Sequence, residues 1–252
     1  MIKTIAIINQ KGGVGKSTTA LCVGAGLSLK GFKVLYIDLD AQGNLTYTLG
    51  ADINGLTALD ILTKEATAEQ TIQRTAQGDV IAASPSLAGA DTLITAVGKE
   101  YRLKEALEPI KEKYDYIIID TPPALSVLTI NALTACTGVI IPAQADIYSL
   151  QGISQLNNTI QTVKQYCNPS LEVMGIVLTR YSARAILSRE VAEMIEQTAT
   201  NLNTKLYKAT VRENIAVKEA QASQQNIFEY APKSNAAADY SALVDEIIDR
   251  SK

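Results

Sequence analysis

A chain of 252 residues with 47% hydrophobic side chains is long enough for a large α/β domain and apolar enough to bury a full core, which excludes global disorder. A formal net charge of −3 excludes a uniformly basic nucleic-acid binder and leaves room only for a local basic patch. Histidine is absent, which removes Ser-His-Asp triads, Cys-His dyads and His-ligated zinc; the three cysteines, Cys22, Cys136 and Cys167, form no C-x-x-C pair and read as reduced, core-filling thiols.

In chain order, short apolar runs alternate with longer helical patterns. The N-terminal "MIKTIAIINQ" is too short for a signal peptide or a membrane span, and its "TIAIIN" (4–9) reads as a strand. A helix is expected over 16–30, stopped by Gly31, followed by a strand "KVLYID" (33–38). Segment 41–75 is irregular and reads as loops with one or two small helices. Strands follow at 79–84, 114–120, 138–143 and 173–179, with helices at 100–113, 125–136, 149–167, 186–200 and 236–250. Pro142 and Pro169 mark turns. The strand segments are apolar without alternation, as strands covered on both faces are. Strand-helix-strand order implies right-handed crossovers. The expected fold is α/β: one domain over 1–252, a mostly parallel twisted sheet with helices on both faces, soluble and cytoplasmic.

"QKGGVGKST" (10–18) lies between the first strand and the first helix. The ordinary phosphate-binding loop reads G-x-x-x-x-G-K-[ST]; here Gly15, Lys16 and Ser17 are in place, Gln10 occupies the first glycine's position, and a second lysine, Lys11, precedes Gly12. In such a loop backbone N–H groups form a concave nest at a helix N-terminus, and glycines such as Gly12, Gly13 and Gly15 let the backbone approach phosphate oxygens. Lys16 is expected to reach the β/γ-phosphates and the Ser17 hydroxyl to ligate Mg²⁺, with Val14 and Thr18 completing the nucleotide-binding stretch. Two acidic sites end strands: Asp38, with Asp40 just beyond it in "DLDAQGN", and Asp120 in "YIIIDTPP". Ligands of open α/β sheets bind outside the carboxyl ends of the strands, so all three carboxylates face the rim that carries the loop. Asp120 is placed to hold Mg²⁺; Asp40 is placed either to hold it too or to orient an attacking water.

"KGGVGKST", "DLDAQGN" and "YDYIIIDTPPALSVLTINALTA" resemble the deviant Walker A ATPases, in particular the short, Soj-like ParA partition proteins. The likeness continues through "VIIPAQADIYSLQGISQLNNTI", "GIVLTRYSAR" and the C-terminal third, so it spans essentially the whole chain. The resemblance implies an ATP- and Mg²⁺-dependent P-loop NTPase that dimerises around two nucleotides, Lys11 reaching the partner subunit's ATP. It implies Asp40 as the residue positioning the hydrolytic water, Asp120 as the Walker B-type carboxylate, and Thr179, Arg180 and Arg212 around the base. The family run Ile-Pro-Arg-Asn stands here as Val211, Arg212, Glu213, Asn214. It further implies an ATP dimer bound to DNA without sequence preference, on the nucleoid, and a ParB-like centromere-binding partner that stimulates hydrolysis. Arg184 matches a DNA-contacting position of the family; Lys218 and Lys233 lie near others. The alternative is a MinD-like membrane-associated division-site ATPase. That needs a basic, apolar C-terminal helix, and "YSALVDEIIDRSK" carries Asp245, Glu246 and Asp249 instead, so stable membrane association is not expected.

Overall fold

The computed structural model describes residues 3–201 and 203–250. The first half runs β1 (Lys3–Ile7), α1 (Lys16–Leu29), β2 (Val34–Asp38), α2 (Asn44–Leu49), α3 (Ala58–Thr63), α4 (Ala68–Thr71), β3 (Ile72–Thr75), β4 (Gly78–Ile81), α5 (Ala90–Leu93), α6 (Arg102–Leu107) and β5 (Tyr116–Asp120). The second half runs α7 (Val127–Ala135), β6 (Gly138–Ala143), α8 (Ile147–Tyr166), β7 (Glu172–Leu178), α9 (Ile186–Asn201), α10 (Ile215–Ala222), α11 (Ile227–Tyr230) and α12 (Asn235–Arg250). The seven strands form one sheet in the order β3-β4-β2-β5-β1-β6-β7. Every neighbouring pair is parallel except β3 with β4, a hairpin closing one edge.

The continuous apolar strands are explained by two cores. Side chains alternate across a strand, so a strand covered on both faces must be apolar at every position. Ile5, Ile7, Tyr36, Ile118 and Ile140 face the layer of α1 and α12. Ala6, Ile37, Ile119, Val139 and Ile141 face the layer of α3, α6, α7, α8 and α9. The expected mostly parallel sheet with helices on both faces is what the chain forms.

Local differences have local causes. Segment 41–75, read as loops with one or two small helices, holds three, α2, α3 and α4, and its last four residues, Ile72–Thr75, are the antiparallel edge strand β3. The expected 100–113 helix is instead α6 flanked by single 3₁₀ turns at Lys99–Tyr101 and Lys111–Lys113, because Pro109 has no N–H to continue the ladder. Strand β4 ends at Ile81, before the expected 84, and the backbone beyond it bonds elsewhere: Ala82 O accepts from Ala58 N (2.8 Å) and Ala83 N donates to the Thr46 hydroxyl (2.8 Å). Helices α10 and α11 fall where no helix was expected; each begins at an asparagine whose side chain caps it, Asn214 to Ala216 N and Asn226 to Phe228 and Glu229 N.

Candidate nucleotide site

β1 sits between β5 and β6 near the middle of the sheet, so the loop that follows it opens at the carboxyl edge of the central strands. The loop is tied down from three directions. The buried Asn9 accepts from Lys11 N (2.9 Å) through its side-chain oxygen and donates to Pro142 O (2.7 Å) at β6. Gln144 donates to Gly13 O (3.1 Å). The Thr179 hydroxyl, just past β7, donates to Val14 O (2.8 Å). Gly13 and Gly15 turn the chain with φ of 75° and 86°, a left-handed backbone that side chains resist. The result is a tied-down arch that opens onto the N-terminus of α1, where a helix presents its first amides.

The two lysines of the loop part company. Lys16 is buried and its ammonium bridges beneath the arch to Lys11 O (3.3 Å). Burial pushes its pKa down from the ordinary lysine value, against the opposing pull of the Asp120 and Asp40 carboxylates. Lys11 turns the other way. It makes an ion pair with Asp146 and a 3.5 Å contact to Gln144 Oε1, and it does not line the cavity beneath its own loop.

Asp38 and Asp120 end the adjacent parallel strands β2 and β5 and are paired in register, both fully buried. Their surroundings differ. Asp38 Oδ2 accepts from Thr46 N (2.8 Å) and from the Thr46 hydroxyl (2.7 Å), and Oδ1 accepts from Asp40 N (3.0 Å). Burial pushes its carboxyl up to about 6, with the hydrogen bonds from Thr46 and Asp40 holding it lower than burial alone would. Among the described residues neither carboxylate oxygen of Asp120 has a hydrogen-bond partner. Burial first, and then the Asp38 charge, raise its pKa well above the usual carboxylate range; Ser17 and Lys16 pull it back. A buried carboxylate with the Ser17 hydroxyl beside it and no hydrogen bond from the backbone suits a hard divalent cation. Among the described residues no cage of three or more acidic or cysteine side chains surrounds that point. Mg²⁺ needs none, since it keeps several waters and takes one or two protein oxygens plus phosphate.

Above these groups lies a cavity of about 800 Å³. It is lined by the loop from Gly12 to Thr18 together with Asp40 and Pro123. Its walls also include Thr179, which sits against the loop, and Arg180, Val211, Arg212 and helix α10. Arg180 is held in a left-handed conformation (φ 50°) that costs a side-chain-bearing residue of order 1 kcal/mol, and it faces Glu213 at 3.8 Å. Arg212 is fixed by a two-point pair with Asp239 (2.9 and 2.6 Å). Gln221 of α10 donates to the Thr18 hydroxyl (2.9 Å), joining α10 to α1.

The residues expected at the site from Gly12 to Thr18, and Asp40, Thr179, Arg180 and Arg212, therefore converge on one cavity, with Asp120 buried beneath it. Of the expected DNA contacts, Lys218 is on α10 at the cavity wall, whereas Arg184 and Lys233 are exposed and outside it. Asn9, Thr46, Gln144 and Asp146 were not foreseen. Only Asp146 left a local trace, as the Asp-x-x-Ser that caps α8 through Ser149 N (2.9 Å).

A glycine loop joining a central parallel strand to a helix, with a buried lysine and strand-end carboxylates below it, defines a P-loop nucleoside triphosphatase. The AAA domain family matches residues 2–173. The sporulation initiation inhibitor protein Soj of Bacillus subtilis is 44% identical over 98% of each chain, and the chromosome partitioning protein ParA of Caulobacter vibrioides is 38% identical over all of this chain and 96% of its own. A solved structure of cobyrinic acid a,c-diamide synthase from Mycobacterium smegmatis, with bound ATP analogue and magnesium, superposes with a TM-score of 0.83 at 32% identity, over 100% of this chain and 96% of that one. The chain belongs to the Soj/ParA family of partition ATPases.

Proposed function

We propose that this protein is a DNA-partition ATPase, acting as a single domain over residues 1–252, whose ATP-bound dimer binds duplex DNA without sequence preference and whose hydrolysis is stimulated by a ParB-like centromere-binding protein. The observation that carries the reading is the divergence of the two loop lysines. Lys16 is committed beneath its own cradle, whereas Lys11 points away from it. A cation on the loop that does not serve its own cavity is suited to serve a second subunit's, where it stabilises charge on the transferring phosphoryl group as an arginine finger does. ATP with Mg²⁺ fits the cavity: the loop amides and Lys16 hold the phosphates, Ser17 and Asp120 hold the cation, and Asp40 orients the attacking water or shares the metal. Thr179, Arg180 and Arg212 border the base.

The membrane alternative is disfavoured by α12. Its apolar residues Ala236, Tyr240, Leu243, Val244 and Ile247 are buried against the α1 layer, so that face is already spent. Among the described residues no helix is long and apolar enough to cross a membrane.

The test is binding to nonspecific duplex with ATP and with ADP. The ATP form binds; the ADP form binds poorly. With a net charge of −3 the basic footprint is local, so log K falls with log salt at about 0.9 per phosphate contacted, giving a shallow slope of roughly 3 to 6. Arg184→Ala weakens all sequences alike, because a phosphate contact carries no base information. Equal binding with ATP and ADP, or ATP-dependent binding to anionic liposomes without DNA binding, contradicts the reading.

A further inference from the structure

We infer that Thr46 is a positioning residue for hydrolysis, setting the Asp40 loop through Asp38; the inference rests on Asp40 as the water-orienting carboxylate. Among the described residues Asp40 is tied to the sheet through Asp38, the last residue of β2, while Leu39 N just before it donates to Asp120 O (3.0 Å). The Asp40 backbone N–H donates to Asp38 Oδ1 (3.0 Å), and its side chain and carbonyl bond within the loop, accepting from Gln42 N (3.0 Å) and Gly43 N (2.8 Å). Its aim therefore depends on where the Asp38 carboxylate is held.

Thr46 holds it. The Thr46 amide and hydroxyl both donate to Asp38 Oδ2, at 2.8 and 2.7 Å, so the carboxylate is gripped at one oxygen and presents the other to Asp40. The same hydroxyl accepts from Ala83 N (2.8 Å), beyond the end of β4. One side chain thus links three elements: the end of β4, the end of β2 and the first turn of α2. Thr46 and Asp38 are both wholly buried, so no water substitutes for these bonds.

The hydroxyl has to donate and accept at once, which only serine or threonine does at this size. Valine keeps the volume but strands the Ala83 N–H and removes one of two donors to Asp38 Oδ2. Asp38 then loses its fixed orientation, and Asp40 with it. Lys16, Ser17 and the glycine loop are untouched, because none of them bonds to Thr46. The chemical step should suffer while nucleotide binding does not.

The experiment measures steady-state ATP hydrolysis and equilibrium binding of a fluorescent ATP analogue for Thr46→Val, Thr46→Ser and Asp40→Ala. Thr46→Val lowers kcat by about 10- to 100-fold, the usual cost of losing a supporting hydrogen bond behind a reacting group, with KM and analogue affinity unchanged. Thr46→Ser, which keeps the hydroxyl, restores kcat. Hydrogen exchange of the peptide covering 38–49 speeds up in Thr46→Val and not in Thr46→Ser. If Thr46→Val keeps its kcat while Asp40→Ala loses it, the inference fails and the Asp40 reading stands. If Asp40→Ala itself turns over normally, both fall. A Thr46→Ser variant as impaired as Thr46→Val, or equal losses in affinity and kcat with a lowered melting temperature, assigns Thr46 a purely structural role and overturns the inference.

Discussion

Lys16→Ala abolishes nucleotide binding. The wild-type ammonium is buried, donates to Lys11 O, and has its burial-lowered pKa pulled back up by the nearby Asp120 and Asp40 carboxylates. Bound phosphate would find there a desolvated cation whose charge-assisted hydrogen bonds are worth more than those of a solvated lysine. Alanine removes that cation and leaves the Asp120 and Asp40 carboxylates beside the phosphate position without its offsetting charge. Truncating one partner of a buried charged pair costs about 2–5 kcal/mol, or roughly 30- to several-thousand-fold in affinity. Equilibrium titration with a fluorescent ATP analogue in Mg²⁺ checks this. Affinity near that of the wild type would mean the arch is not the nucleotide site.

Asp40→Ala has the opposite signature: binding is kept and turnover is lost. Asp40 lines the cavity, and among the described residues its side-chain Oδ1 accepts from Gln42 N within its own turn rather than from the arch. Loss of a general base or water-orienting group costs about 10²- to 10⁴-fold in kcat. Single-turnover hydrolysis beside analogue binding separates the outcomes. If analogue binding disappears with turnover, Asp40 holds the metal rather than the water. In that case Asp120 and Asp40 share the cation, the other arrangement their positions at the strand ends allow.

The parts of this site that lie close together in the chain are legible in its sequence. The loop, its preceding strand and following helix occupy one stretch, and their spacing alone places Lys16 and Ser17 under the arch. The apolar runs ending in Asp38 and Asp120 are equally plain, because a strand buried on both faces must be apolar throughout and its carboxyl end must face the rim. What the sequence does not display is how those carboxylates are used. Asp38 and Asp120 look alike as strand-ending aspartates, yet one is held by Thr46 and Asp40 while the other has only the Ser17 hydroxyl and the Lys16 charge acting on it. Thr46 reaches Asp38 from eight residues away, and Ala83 reaches Thr46 from 37. The Lys11–Asp146 pair spans 135 residues. Such contacts arise from the strand order, and no local pattern announces them.

The missed elements share a different cause. Strand β3 is four residues, "IQRT", on a sheet edge where one face meets solvent, so it carries neither the apolar run nor a readable alternation. Helix α10, "IAVKEAQA", has a weak apolar stripe, and its signal is the cap at Asn214. Both lie where tertiary context, more than pattern, decides the local structure. The same region forms a wall of the cavity, with Arg212 pinned by Asp239, a pairing across 27 residues that emerges only in the folded chain.

The central claim is that ATP bound in this cavity joins two copies of the chain through Lys11. Light scattering after size exclusion, with ATP and Mg²⁺, with ADP and Mg²⁺, and without nucleotide, tests it on the wild type and on Lys11→Ala. Among the described residues the Lys11 side chain bonds to the half-buried Asp146 and Gln144 and to nothing in the core, so alanine there should leave folding and analogue binding intact. The account predicts that the wild type doubles its mass with ATP alone, and that Lys11→Ala binds the analogue yet stays a monomer. A wild type whose mass ignores the nucleotide, or a Lys11→Ala variant that dimerises normally with ATP, would contradict it.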